Sequence, residues 1–163
     1  LTINYISLFL CIINGGIIMS EKIENILIAT DGSENVKNAV DWGIDLAKST
    51  DAKVKALFVI PPVGVSAAVR GESWAEGTRT HLEKEGRDAT DYVVEVGKAA
   101  GVEVEPVTIE DYPSEGIVNF AKENNTDLIV MGTLGATGLT QLLLGSVAEN
   151  VVRHAKTSVM VVP

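Results

Sequence analysis

The chain has 163 residues, 46% of them hydrophobic and 21% charged, which is the balance of a globular protein with enough chain for one substantial core. Its formal net charge of -9 argues against non-specific nucleic-acid binding, which needs basic surface. The single cysteine, Cys11, excludes an intrachain disulfide and a cysteine zinc site, and it fits a reducing, cytoplasmic setting.

Residues 1 to 19 contain no Lys, Arg, Asp or Glu. A signal peptide would need a charged n-region and a small-residue cleavage site, and neither is present. Asn4, Asn14 and Gly15–Gly16 interrupt the run, which falls short of the roughly 20 apolar residues of a spanning helix. Met19-Ser-Glu-Lys has the form of an ordinary start. Gly15 and Gly16 require two GGN codons just upstream, where a purine-rich ribosome-binding site would lie. The expectation is that residues 1–18 are a gene-call extension and that one domain spans 19–163. A membrane association would follow only if residues 1–18 are real.

From there the chain alternates. Asn25 to Thr30 is a short apolar run suited to a strand buried on both faces, ending at the turn cluster Asp31-Gly32-Ser33. Val36, Ala39, Val40, Gly43, Ile44 and Ala47 form one face of a helix, with Ser33 as candidate N-cap. Trp42 and Leu46 widen that stripe and are expected in the core. Lys53 to Ile60 is a second strand, stopped by Pro61–Pro62. Pro61 to Gly77 reads as a long loop. Leu82, Ala89, Val93, Val96 and Ala100 mark a second helix, which Gly86 and Gly97 weaken by about 1 kcal/mol each, with Gly101 as its stop.

Val102 to Ile109 carries Pro106, as an edge strand can. Pro113 opens a third helix with Ile117, Phe120 and Ala121 inward. Leu128 to Met131 is a fourth strand. Ser146 to Ala155 is a last helix, with Val147, Val151 and Ala155 inward, and Ser158 to Val162 is a fifth strand. The order βαβαβαβαβ implies a single doubly wound parallel sheet with right-handed crossovers.

Chemistry concentrates at two places. Asp31 follows strand 1 at its C-terminal end, where open α/β sheets bind ligands. Gly132, Gly135 and Gly145–Ser146 lie between strand 4 and a helix start, where backbone N–H groups and the helix dipole favour an anion. Ser146 and Glu149 also form the S-x-x-E pattern of a capping box, so both a structural and a phosphate-binding reading stand for Ser146. Leu142-Leu143-Leu144 reads as loop packing onto the sheet. His81 and His154 are isolated, and there is no P-loop lysine, no G-x-S-x-G and no H-x-x-x-H. No catalytic residue is assigned, and the metal-ligating residues are left unknown.

NILIATDGS near the start, the pattern G-2x-G-9x-G-S at Gly132, Gly135, Gly145 and Ser146, and the terminal VMVVP together resemble the universal stress protein family. The resemblance implies a Rossmann-like five-stranded parallel sheet of order 3-2-1-4-5 and a homodimer through the last strand. It implies bound ATP, or AMP or ADP, with a divalent cation such as Mg²⁺ or Mn²⁺ at the phosphates. Carried onto this sequence, Ala29, Thr30 and Asp31 line the adenosine end, and Val59 touches the base. Met131 and Gly132 meet the ribose, and Gly135, Gly145, Ser146 and Val147 hold the phosphates. Many relatives have a cation just after the second glycine and before the leucine run, where this chain has Ala136 and Gln141. Each missing cation removes a contact worth roughly 1.5–3 kcal/mol, so triphosphate affinity is expected to be weaker or more dependent on Mg²⁺.

Three functions follow as alternatives: a nucleotide-binding stress-response module with slow or no hydrolysis, an ATPase or nucleotidyl-transfer enzyme on the same fold, or a nucleotide-independent dimeric interaction module. Intact-mass measurement of the native protein tests the start site. A mass beginning at Met19 is expected, and one that includes residues 1–18 would refute it.

Overall fold

The computed structural model describes residues 23–63, 70–133 and 144–163, together with two short leader strands, Ile12–Ile13 and Gly16–Ile17, which pair antiparallel. Labels below run through the main sheet and its helices. The five strands are β1 (Asn25–Ala29), β2 (Lys53–Ile60), β3 (Val104–Glu110), β4 (Leu128–Gly132) and β5 (Ser158–Val162). They are parallel and ordered β3-β2-β1-β4-β5. The helices are α1 (Lys37–Thr50), α2 (Glu72–Ala100), α3 (Pro113–Glu123) and α4 (Ser146–His154). The expected order 3-2-1-4-5 is the observed one.

Side-chain alternation along buried strands splits the core into two layers. Ile26, Ile28, Val54, Ala56, Leu128 and Val130 face one side, under α1 and α2. Leu27, Ala29, Leu57, Ile129 and Met131 face the other, against Ile117 and Ala121 of α3 and Ala148 and Val151 of α4. Leu27, Ile28, Ile129 and Val130 are essentially inaccessible to solvent. Burial of each such side chain contributes about 1.5–3 kcal/mol, and together they fix the central strands β1 and β4 side by side. Asp127 ties the strand starts together, because one of its carboxylate oxygens accepts the backbone N–H of both Glu24 and Asn25 at 2.9 Å.

Several local expectations are corrected. Trp42 is 55% exposed and not in the core, because Ala39, Val40, Gly43, Ile44 and Ala47 already fill the narrow face of α1. Gly43 lets α1 approach closely, since a Cβ there would fall 2.7 Å from Ile28 Cδ1. Ser33 makes no capping bond, and a 3-10 turn, Glu34–Val36, intervenes before α1. The loop expected from Pro61 to Gly77 does not extend to Gly77, for Glu72 already opens α2. Its first turns bury little, so they carry no apolar periodicity to read. They are held locally, with Thr78 Oγ1 donating to Trp74 O at 2.9 Å and Arg79 meeting Glu110 at 3.4 Å. In α4 the buried residues are Ala148 and Val151, with Val147 and Ala155 only half-buried.

The two sheet edges differ. Asp111 N–H donates to Ile60 O at 3.0 Å, so alternate backbone groups of β3 face β2. Pro106, Thr108 and Glu110 therefore face outward, and Pro106 interrupts that row of donors. On β5, Thr133 N–H donates to Val162 O at 2.9 Å, which turns the backbone groups of Val159 and Val161 outward, with no proline between them.

Candidate functional site

The C-terminal ends of β1 and β4 are adjacent, and the chain leaves them on opposite sides: β1 turns to α1, β4 to α4. Such a divergence opens a crevice above the sheet. A cavity of about 310 Å³ occupies it. From β1 it is lined by Ala29, Thr30 and Asp31, from β2 by Leu57, Phe58 and Val59, and from β4 and its exit by Met131, Gly132 and Thr133. Gly145, Ser146, Val147 and Ala148 close one side. Of the residues that the family resemblance assigns to a ligand site, all except Gly135 line this one cavity, and Gly135 lies outside the described residues, as do Ala136, Gln141, Leu142 and Leu143. Leu144 is 43% exposed and not packed down on the sheet.

The two ends of the cavity are chemically unlike. Gly145 N–H donates to Thr133 O at 2.8 Å, and this bond brings the start of α4 back onto the end of β4. Gly145 is the N-cap, its carbonyl accepting the first helical bond from Glu149 N–H at 2.9 Å. The N–H groups of Ser146, Val147 and Ala148 therefore have no partner within the helix, and all three residues line the cavity. The S-x-x-E box does not form: no side chain caps α4, and Glu149 instead pairs with Arg153 one turn on at 2.8 Å. Ser146, exposed at the first helical position, is not used as a cap.

The opposite end is apolar. Val59, Pro113 and Ile117 bound it, with Leu57 and Ala29 beneath. Sequence reasoning did not single out Val36, Pro113, Ile117, Thr133 or Ala148 as lining residues. Pro113 carried a usable signal, since it opens the helix that follows β3 and so starts at the same end of the sheet as the crevice.

At the turn after β1, Thr30 is 7% exposed, and its Oγ1 accepts the N–H of Gly32 at 3.1 Å. Asp31 Oδ1 accepts the N–H of Ser33 at 3.0 Å, which holds the carboxylate at the cavity rim. Gly32 has φ +73 and lies against Ala89 of α2, so this turn demands glycine both for conformation and for space. Asp31 is the one ionisable residue among the described lining residues. The arrangement offers backbone donors and a helix dipole at one end, an apolar slot at the other, and a single carboxylate between. No group of three or more His, Cys, Asp or Glu arranged to hold a metal occurs among the described residues. Nor is any helix among them long and apolar enough to cross a membrane.

Comparison with known proteins agrees with this architecture. Residues 22–163 match the Universal stress protein family. Universal stress protein MJ0531 of Methanocaldococcus jannaschii is 40% identical over 142 residues, covering 85% of this chain and 81% of that protein. Among solved structures, hypothetical protein MJ0577 superimposes with a TM-score of 0.72 at 27% identity, covering 87% of this chain and 96% of that one. A universal stress protein solved in complex with cAMP superimposes with a TM-score of 0.63 at 26% identity, covering 87% of this chain and 98% of that one. The chain belongs to the universal stress protein family.

Proposed function

We propose that this universal stress protein binds an adenine nucleotide in the crevice between β1 and β4, and acts as a nucleotide-responsive stress module with slow or no hydrolysis. The observation that carries the reading is the polarity of the cavity, with the N–H groups of the first turn of α4, which have no partner within the helix, at one end and an apolar slot at the other. A nucleotide has the same polarity. In this reading the phosphates lie at Gly135, Gly145, Ser146 and Val147, and the ribose at Met131 and Gly132. The adenosine end lies along Ala29, Thr30 and Asp31, with the base against Val59. The neighbour solved with cAMP supports an adenine ligand.

ATP is the expected ligand, with AMP or ADP as alternatives, and Mg²⁺ or Mn²⁺ would enter with the phosphates. No Lys, Arg or His is found among the described lining residues, and none occurs in the sequence from Thr133 to Leu144. Without such a group to neutralise transferred charge, the site is suited to hold a nucleotide more than to split one. The unit that performs this role is 19–163, in the cytoplasm.

Protein expressed from Met19, denatured and assayed for released nucleotide, is expected to yield an adenine nucleotide and to bind ATP saturably, more tightly with Mg²⁺. Gly145→Val is expected to lower that affinity at least ten-fold while leaving the circular dichroism spectrum unchanged. Absence of both released nucleotide and saturable binding up to millimolar ATP would refute the reading.

The same protein is proposed to form a homodimer through β5. Its outward backbone groups at Val159 and Val161 can pair antiparallel with a second copy about a two-fold axis at Met160, and partly exposed Val159, Met160 and Val161 would be covered. Val161→Pro deletes an outward N–H and no bond within the sheet. Sedimentation equilibrium is expected to give a dimer for the wild-type chain and a monomer for the variant. A monomeric wild type, or a variant that still dimerises, would contradict this.

A further inference from the structure

We infer that the first turn of α3 is the wall that sets the fit of the base, and that Gly116 is the positioning residue that sets its distance from β2. The inference rests on the adenine-nucleotide reading above and adds a residue set to it.

Glycine inside a helix costs about 1 kcal/mol relative to alanine, so an interior glycine calls for a packing reason. At Gly116 the reason is the site. A Cβ at that position would lie 3.0 Å from Val59 Cγ1, 3.0 Å from Asp111 Cβ and 3.3 Å from Ile109 Cδ1. Val59 is itself a cavity wall, and so are Pro113 and Ile117, which stand one turn before Gly116 and immediately after it on the same helix.

The entry to α3 leaves little room for adjustment. Asp111 N–H is held by Ile60 O at 3.0 Å, Asp111 Oδ1 accepts the N–H of Tyr112 at 2.7 Å, and Tyr112 O accepts the N–H of Gly116 at 2.7 Å. Pro113 fixes the first helical φ. The helix start is thus tied to the end of β2 by backbone bonds, and Gly116 is where helix and strand touch. An added methyl has two outlets. Either it pushes the start of α3, with Pro113 and Ile117, away from β2, or it turns the Val59 side chain into the cavity. Both change the apolar slot directly, whereas the donors of α4 are anchored separately, by Gly145 N–H on Thr133 O.

The role separates from a general structural one by the ligand used. Adenosine fills only the apolar end and the ribose position, whereas AMP adds a phosphate at α4. Isothermal titration of Gly116→Ala is expected to show both affinities lowered by the same factor, about three- to ten-fold, so that their ratio stays at the wild-type value. Unchanged affinity for both, or a loss for AMP with adenosine unaffected, would overturn the inference. Should Gly116→Ala fail to give the wild-type circular dichroism spectrum, Ile117→Val decides. Removing one methylene from the wall is expected to lower both affinities about three-fold at constant ratio, and no change in either would overturn the assignment. A wild-type chain that binds neither adenosine nor AMP at millimolar concentration would remove the nucleotide reading itself, an outcome distinct from a wild type that binds and a variant that binds as well.

Discussion

One backbone hydrogen bond, from Gly145 N–H to Thr133 O at 2.8 Å, determines where α4 begins. Thr133 is in turn held to β5 by its own N–H, which donates to Val162 O at 2.9 Å. The excursion between Thr133 and Gly145 is thereby closed at its base and returned to the end of the sheet. Without that closure the first turn of α4 would be placed by the packing of Ala148 and Val151 alone, and its N–H groups, unused within the helix, would not be held toward a common space with Asp31. The buried apolar residues of β1 and β4 supply the rigid floor, and the closure supplies the second wall. The crevice therefore depends on both.

The fold was legible because burial on both faces writes itself plainly. Ile26 to Ala29 and Leu128 to Met131 are unbroken apolar runs, and the stripe from Val36 to Ala47 has helical period. Between such elements only one topology class remains. What misled was local chemistry that tertiary packing overrode. Ser146 and Glu149 have the spacing of a capping box, yet the Gly145 N–H bond to Thr133 O puts Gly145 at the N-cap and Ser146 inside the helix, which leaves Glu149 to pair with Arg153. Trp42 was expected to widen the inward stripe, but α1 meets the sheet through Ala39, Val40, Gly43, Ile44 and Ala47, and Trp42 lies outside that face. The first turns of α2 gave no pattern because they bury too little to need one.

The site divides in the same way. The strand-end and glycine positions were readable because turn chemistry and strand ends mark them. The α3 wall was not, because Pro113 and Ile117 are ordinary as a helix start and a core residue, and only the register of α3 against β2 brings them to the crevice. Gly116 was not singled out in the sequence, and it lies where an added Cβ would come within 3.0 Å of both Val59 and Asp111. The helical glycines Gly43, Gly86, Gly97 and Gly116 mark close approach between layers, whereas Gly77 faces open space. The polarity of the cavity follows from these two kinds of feature together, a donor end built by loop closure and an apolar end built by packing.

The central claim is that the first turn of α4 receives the anionic end of an adenine nucleotide. The most direct measurement is a titration of AMP followed by amide NMR, read at Ser146, Val147 and Ala148. The account predicts that these three amides shift saturably with AMP, and that adenosine, which lacks the anion, moves residues around Val59 and Ile117 while leaving them nearly still. Saturable AMP binding that leaves the amides of Ser146, Val147 and Ala148 unmoved would contradict it.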